Sequence, residues 1–171
     1  KGVIPEFINP KFTHDKKRLT SSARLECMMQ ALPLHDAFRQ HKVSFVLFDR
    51  ACCFSPIKHS FQEAAAAKAK GIPMENAASC EEDVYEMNGR WLAAAGAVVH
   101  SNPDTKLLPA VLLDPTFALA FVDVKHALQS VADASLEIGC DATLFVEGPV
   151  IFQGRTTISG SAHVRNSSRL P

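Results

Sequence analysis

The chain has 171 residues, a length that suits one domain or one domain with a small appendage. Apolar residues make up 47% and charged residues 21%, which is close to ordinary globular usage and enough for a core at this size. Lys plus Arg and Asp plus Glu number 18 each, so no global field draws the chain to nucleic acid or to an anionic membrane.

Residues 3–12 read as a short extended segment ended by Asn9-Pro10, and 13–20, with His14, Asp15, Lys16, Lys17 and Arg18, as a polar loop. From Ser22 to Leu32 the apolar positions Leu25, Met28, Met29 and Leu32 fall at helical spacing, and Pro33 stops the run. Val43–Phe48 is apolar and β-rich enough for a buried strand. Ser60 with Glu63 makes a capping-box pattern before the alanine-rich run to Lys70, and Gly71 is placed to end it. Ser79 with Glu82 repeats the pattern before a longer helix, whose apolar face holds Val84, Met87, Trp91 and Leu92 and which Gly96 closes. Ala97–His100 returns as a strand, and 110–124 carry further β-type segments, including Phe117–Val122. Strand, helix, helix, strand gives an α/β class.

After about residue 135 the period changes to six. Ile138, Leu144 and Val150 form one series, and Val146, Phe152, Ile158 and Val164 a second, with glycines at 148, 154 and 160 in step. Sixfold stacking is the mark of a small parallel β-helix, with an antiparallel meander as the alternative arrangement.

The five cysteines, 27, 52, 53, 80 and 140, are odd in number and lack C-x-x-C spacing, against a disulfide framework or a zinc site. Reduced thiols in the cytoplasm are the plain expectation. No apolar run approaches the roughly 18 residues of a membrane span, and the start is no signal peptide. Asn166-Ser167-Ser168 matches a glycosylation acceptor, which without a secretory signal carries no weight. The chain opens without Met directly into apolar Val3-Ile4-Pro5, and so reads as cut from something longer.

Three strings carry chemistry: Ile4-Pro5-Glu6-Phe7-Ile8-Asn9-Pro10-Lys11, Arg24-Leu25-Glu26-Cys27-Met28-Met29-Gln30, and Phe54-Ser55-Pro56-Ile57-Lys58. With the alanine-rich helix, Gly71-Ile72-Pro73 and Ala77-Ala78-Ser79, they resemble the UDP-sugar pyrophosphorylases, the broad-specificity branch of the UDP-glucose and UDP-N-acetylhexosamine pyrophosphorylase group. The resemblance covers nearly the whole chain and is weakest at 101–135. It implies the C-terminal part of a Rossmann-like nucleotidyltransferase domain over residues 1–134, then a small left-handed parallel β-helix over 135–171. It also implies transfer of UMP from UTP to a sugar 1-phosphate with Mg²⁺, giving a UDP-sugar and pyrophosphate.

Such a displacement at phosphorus needs positioning and positive charge more than covalent help from the protein. The resemblance puts Lys58 on the phosphates of the sugar nucleotide, with Lys11 as the second cation on the sugar-phosphate side. Asn9 and Glu26 are further candidates for substrate contact, against simpler roles in the turn before Pro10 and in a salt bridge or helix start. Ala31 stands where many relatives carry an acid. The family's glycine-rich phosphate loop has no counterpart among the eight glycines, and its uracil- and metal-binding residues would lie upstream, so this chain alone is expected to be inactive. A second class is a non-catalytic module that oligomerises or binds a protein through the β-helix. A cysteine or histidine enzyme built on Cys52-Cys53 has no supporting signature.

Overall fold

The computed structural model describes residues 4–13, 15–38, 40–129 and 133–167; Val3, His14 and Ser168, named in the readings above, lie outside the described residues. The chain divides into two compact units, Lys1–Leu47 and Phe48–Pro171.

The first unit is built on an antiparallel ribbon of β1 (Glu6–Ile8) and β2 (Leu25–Cys27), in register Glu6↔Cys27, Phe7↔Glu26 and Ile8↔Leu25. A Phe12–Leu19 bridge continues it toward the connecting turn, where Thr13 N–H donates to Arg18 O (2.8 Å) and Lys16 N–H to Thr13 O (2.8 Å). The helix expected over 22–32 is replaced by this second strand and a 3-10 segment, Met29–Leu34, with Pro33 inside it. Two things decide against the helix. β1 takes the backbone groups of 25–27, and Pro33 has no N–H to give an α-helical ladder, which leaves only tighter turns. The expected strand at Val43–Phe48 is irregular, with Leu47 98% exposed. A strand persists where a neighbour pairs with it, and no described residue does so here.

The second unit begins with one turn, α1 (Arg50–Cys53), capped by the Asp49 side chain on Ala51 N–H at 3.0 Å. α2 (Phe61–Lys68) has the expected capping box: Ser60 Oγ accepts from Glu63 N–H, and Glu63 Oε2 from Ser60 N–H. Gly71 follows in the left-handed region, φ +69. α3 (Ala77–Ala94) starts three residues before the predicted box. Asn76 Oδ1 accepts from Ser79 N–H at 2.9 Å, and Ser79 Oγ accepts from Asn76 N–H at 3.0 Å. Asn leads Ser as a cap only slightly, but here Asn76 is buried and fixed, and Ser79 serves as its partner. Gly96, φ +110, ends the helix as expected.

Six parallel strands follow: β3 (Val98–Val99), β4 (Ala110–Leu113), β5 (Ser135–Ile138), β6 (Thr143–Glu147), β7 (Arg155–Ile158) and β8 (Ser161–Arg165). Odd strands form one sheet, β3-β5-β7, and even strands a second, β4-β6-β8. Every pairing is parallel, which excludes the meander. Because β3 and β4 begin the sheets, the stack runs across residue 134. In place of the strand expected at Phe117–Val122, the chain turns and enters α4 (Phe121–Gln129). Asp114 side chain holds Thr116 N–H (2.8 Å) in a turn, and Asp123 Oδ2 takes Leu119 and Ala120 N–H (3.0 and 2.9 Å) to start the helix. Local acceptors thus win over β propensity.

Between the sheets and α3 and α4 lies the core: Leu92, Val111, Val124, Leu136, Ile138, Leu144 and Val146 are all at most 2% exposed. The sixfold positions Ile138, Leu144, Val146 and Phe152 are buried, with Val150, Ile158 and Val164 packed against them. In the even sheet Thr143 pairs with Ser161, eighteen residues on and three sixfold steps, whereas in the odd sheet Ser135 pairs with Arg155, twenty residues on and outside the sixfold step. Asn88, buried on α3, satisfies its amide on Val111 O at 3.0 Å.

Candidate functional site

In the first unit, the ribbon register sets one polar face. Phe7 and Glu26 are opposite one another, and side chains alternate along extended backbone, so Asn9 and Lys11 fall on the side of Phe7, Arg24 and Ser22 on that of Glu26. A cavity of about 290 Å³ opens there, lined by Asn9, Lys11, Ser21, Ser22, Arg24 and Glu26. Three of the four residues singled out from sequence therefore share one pocket. Asn9 Nδ2 points to Glu26 Oε2 at 3.5 Å, the long limit of a hydrogen bond. Lys11 is fixed through its backbone: its carbonyl accepts from both Thr20 N–H (2.8 Å) and Thr20 Oγ1 (3.1 Å). Arg24 and the two serines were missed. Reading 22–32 as a helix hid the alternation Ser22, Arg24, Glu26, which is the signal that marks them.

Lys58 belongs to the second unit. Its backbone N–H, with that of His59, donates to Glu75 O (2.7 and 3.0 Å), and its ammonium reaches Glu75 Oε2 at 3.0 Å. Arg50 holds the other carboxylate oxygen of Glu75. Both cations lie over the Phe54 ring, Arg50 at 5.0 Å and Lys58 at 5.6 Å from its centre. The Arg50 hydrogen bond, then that of Lys58, holds the Glu75 carboxyl below the usual glutamate range. Beside them a cavity of about 410 Å³ is lined by Asp49, Arg50, Phe54, Ser55, Glu75 and Asp83 among others, with Ser55 Oγ donating to Asp83 Oδ2 at 2.6 Å. Lys58 is thus an exposed cation with a carboxylate already on it; Arg50 and Glu75 carried no sequence signal of their own. All five cysteines are unpaired thiols, and no helix among the described residues is long and apolar enough to cross a membrane.

The class of protein to which the chain is similar in sequence is the UDP-sugar pyrophosphorylases. In particular, proteins of that name from Oryza sativa subsp. indica and subsp. japonica are 32% identical to it over 158 residues, 86% of this chain and 25% of each relative. That of Arabidopsis thaliana is 27% identical over 168 residues, 94% of this chain and 26% of the relative. The chain spans about a quarter of the length of the curated relatives it matches. No protein-family model matches it.

Proposed function

We propose that this chain is the C-terminal part of a cytoplasmic uridylyltransferase that makes UDP-sugars from UTP and sugar 1-phosphates. The observation that carries this reading is the polar pocket of Asn9, Lys11 and Glu26, three residues of the strings that resemble those of UDP-sugar pyrophosphorylases. In the reaction an oxygen of the sugar phosphate attacks the α-phosphorus of UTP, the bond to the β-phosphate oxygen breaks, and pyrophosphate leaves. Lys11 steadies the sugar phosphate, and Lys58 exchanges the Glu75 carboxylate for a phosphate oxygen of the nucleotide. A cation so placed stabilises charge spread over phosphate oxygens. The Mg²⁺ that the reaction uses would be held by one or two carboxylates together with phosphate oxygens of the substrates. That ion and the glycine-rich nucleotide loop belong, in this reading, to the rest of the protein, and the chain alone is inactive.

The exposed apolar side chains of the first unit support a longer parent. Ile8 is 62% and Leu25 68% exposed, on strands whose further neighbours would lie in the remainder of the catalytic domain. In the same reading residues 1–134 derive from that domain and 135–171 form a small left-handed parallel β-helix, for which the eighteen-residue offset is the support. The test is pyrophosphate release from UTP and Mg²⁺ with a panel of sugar 1-phosphates, the complete protein beside this chain. Turnover by the complete protein alone is expected, with Lys58→Ala lowering it at least about tenfold; near-normal turnover in that variant removes the assignment. A second reading, an assembly module, is favoured by β7 and β8, each the outermost strand of its sheet among the described residues. A native mass showing a monomer at high concentration removes it.

A further inference from the structure

We infer that Ser21 is a phosphorylation site for a protein kinase that selects basic residues ahead of its acceptor, and that the added phosphate docks onto Arg24 and Lys11. The polar loop of 13–20, which the reaction above does not use, carries the recognition. Lys16, Lys17 and Arg18 stand in a row, all exposed, and put Arg18 three places ahead of Ser21. Asp15, the one acid of the loop, is engaged by Thr13 Oγ1 and by the backbone N–H of Lys17. Among the described residues no carboxylate pairs with the three cations. A kinase groove lined with carboxylates reads such a row as a charge pattern. The backbone is accessible as well. Leu19 bridges Phe12 on one side, and the ribbon has two strands among the described residues, so 18–22 keep a free edge without helix.

Three adjacent hydroxyls compete, and their surroundings separate them. Thr20 Oγ1 donates to Lys11 O at 3.1 Å, whereas Ser21 Oγ has no hydrogen-bond partner among the described residues. Ser22 has Leu19, not a cation, three places before it. In the transfer, Ser21 Oγ forms a bond to the γ-phosphorus of ATP and the bond from that phosphorus to the bridging oxygen breaks. ADP leaves, and the hydroxyl proton passes to the catalytic carboxylate of the kinase. Ser21 lines the cavity that holds Lys11, Arg24 and Glu26, where one positive charge is in surplus. A phosphoserine brings about −1.5 to −2, which turns that surplus negative. The Arg24 guanidinium forks onto two phosphate oxygens, and Lys11 adds a point charge. The chain thereby occupies its own cationic site. Resting on the uridylyltransferase reading, the modified protein binds sugar 1-phosphates more weakly.

Incubation of the complete protein with ATP and calcium/calmodulin-dependent protein kinase II, with the product mapped by tandem mass spectrometry, tests the site. One phosphate on Ser21 is expected, absent from Ser21→Ala. Arg18→Ala, outside the pocket, should slow labelling at least about tenfold, the range for losing a charged partner. No phosphate on Ser21, label on Thr20 or Ser22 instead, or wild-type labelling of Arg18→Ala overturns the inference. Phosphorus NMR of the modified protein then reads the docking. A phosphoserine has its second pKa at about 6, and a cation beside it lowers that value. Arg24→Ala should raise the midpoint by about half a unit or more, and Lys11→Gln should raise it less. One midpoint common to all three proteins overturns the docking. Ser21 labelling with an Arg24-dependent midpoint, in a complete protein that releases no pyrophosphate from UTP, keeps this site and removes the uridylyltransferase. Turnover that is equal with and without the phosphate keeps the uridylyltransferase and overturns the occlusion of its pocket.

Discussion

At the scale of single residues, Glu75 governs the cations of the second unit, since Arg50 and Lys58 each take one of its oxygens. Its lowered carboxyl gives a signed expectation. A depressed acid contributes stability that is fully present above the ordinary glutamate range and is lost as pH falls through its folded value. Wild type should exceed Glu75→Gln in melting temperature at neutral pH, and the two should converge as the medium is taken below about pH 4; parallel curves would show that the carboxylate adds nothing. Gly148 offers a sharper steric case. Its φ is +79, and a Cβ there would sit 2.2 Å from Asn166 O, backbone that cannot step aside. Gly148→Ala should cost about 2 kcal/mol or more in a denaturant titration, from left-handed strain plus the clash. Gly160→Ala, with open space and no positive φ, should stay within about 0.5 kcal/mol. The sequence announced both glycines through the sixfold step, but only backbone geometry separates the one that tolerates a methyl from the one that does not.

At the scale of elements, helix starts decide several outcomes. Asn76→Ala should lower stability by about 1 kcal/mol, because it removes the acceptor for Ser79 N–H at the head of an 18-residue helix. An unchanged denaturation midpoint would mean that Ser79 and water replace it. The helices were legible where a side chain writes its own signal: Ser60 and Glu63 named the start of α2 correctly, and Gly96 the end of α3. They were illegible where two signals compete within a few residues. Ser79 and Glu82 look like a box, yet Asn76 is upstream and captures Ser79. The ribbon failed for a different reason. Leu25, Met28, Met29 and Leu32 satisfy helical spacing by chance, while the partner that makes 25–27 a strand is seventeen or more residues away in β1. With that register known, Asn9, Lys11 and Glu26 fall into one pocket, so the candidate site was readable residue by residue but not as a place.

At the scale of the whole molecule, buried side chains cluster where the sixfold pattern put them. Leu144, on the middle strand of its sheet and fully buried, should lose about 2–5 kcal/mol on truncation to alanine. Phe145, its neighbour on the opposite face, is half-buried and stacks on His163 at 4.6 Å, so Phe145→Ala should cost less in the same titration. The parallel pairing of β6 with β8 was legible because the two repeat one pattern three sixfold steps apart, whereas β5 and β7 pair twenty residues apart, outside that step. What could not be read was that β3 and β4, which carry no sixfold mark, supply the first layer; that pairing depends on α3 and α4 covering the sheets. The same geometry bears on how such a protein can change its length. Residues inserted between strands fall in connections, but an addition that extends the β4-β6-β8 sheet has to bring a further strand with the same alternation. Eighteen residues copied from 143–160 and spliced after β8 would meet a ready template, since β8 already offers β6's alternation one layer further along. That sheet takes a new strand only in register with β8, because a slip of one residue would turn every apolar side chain outward.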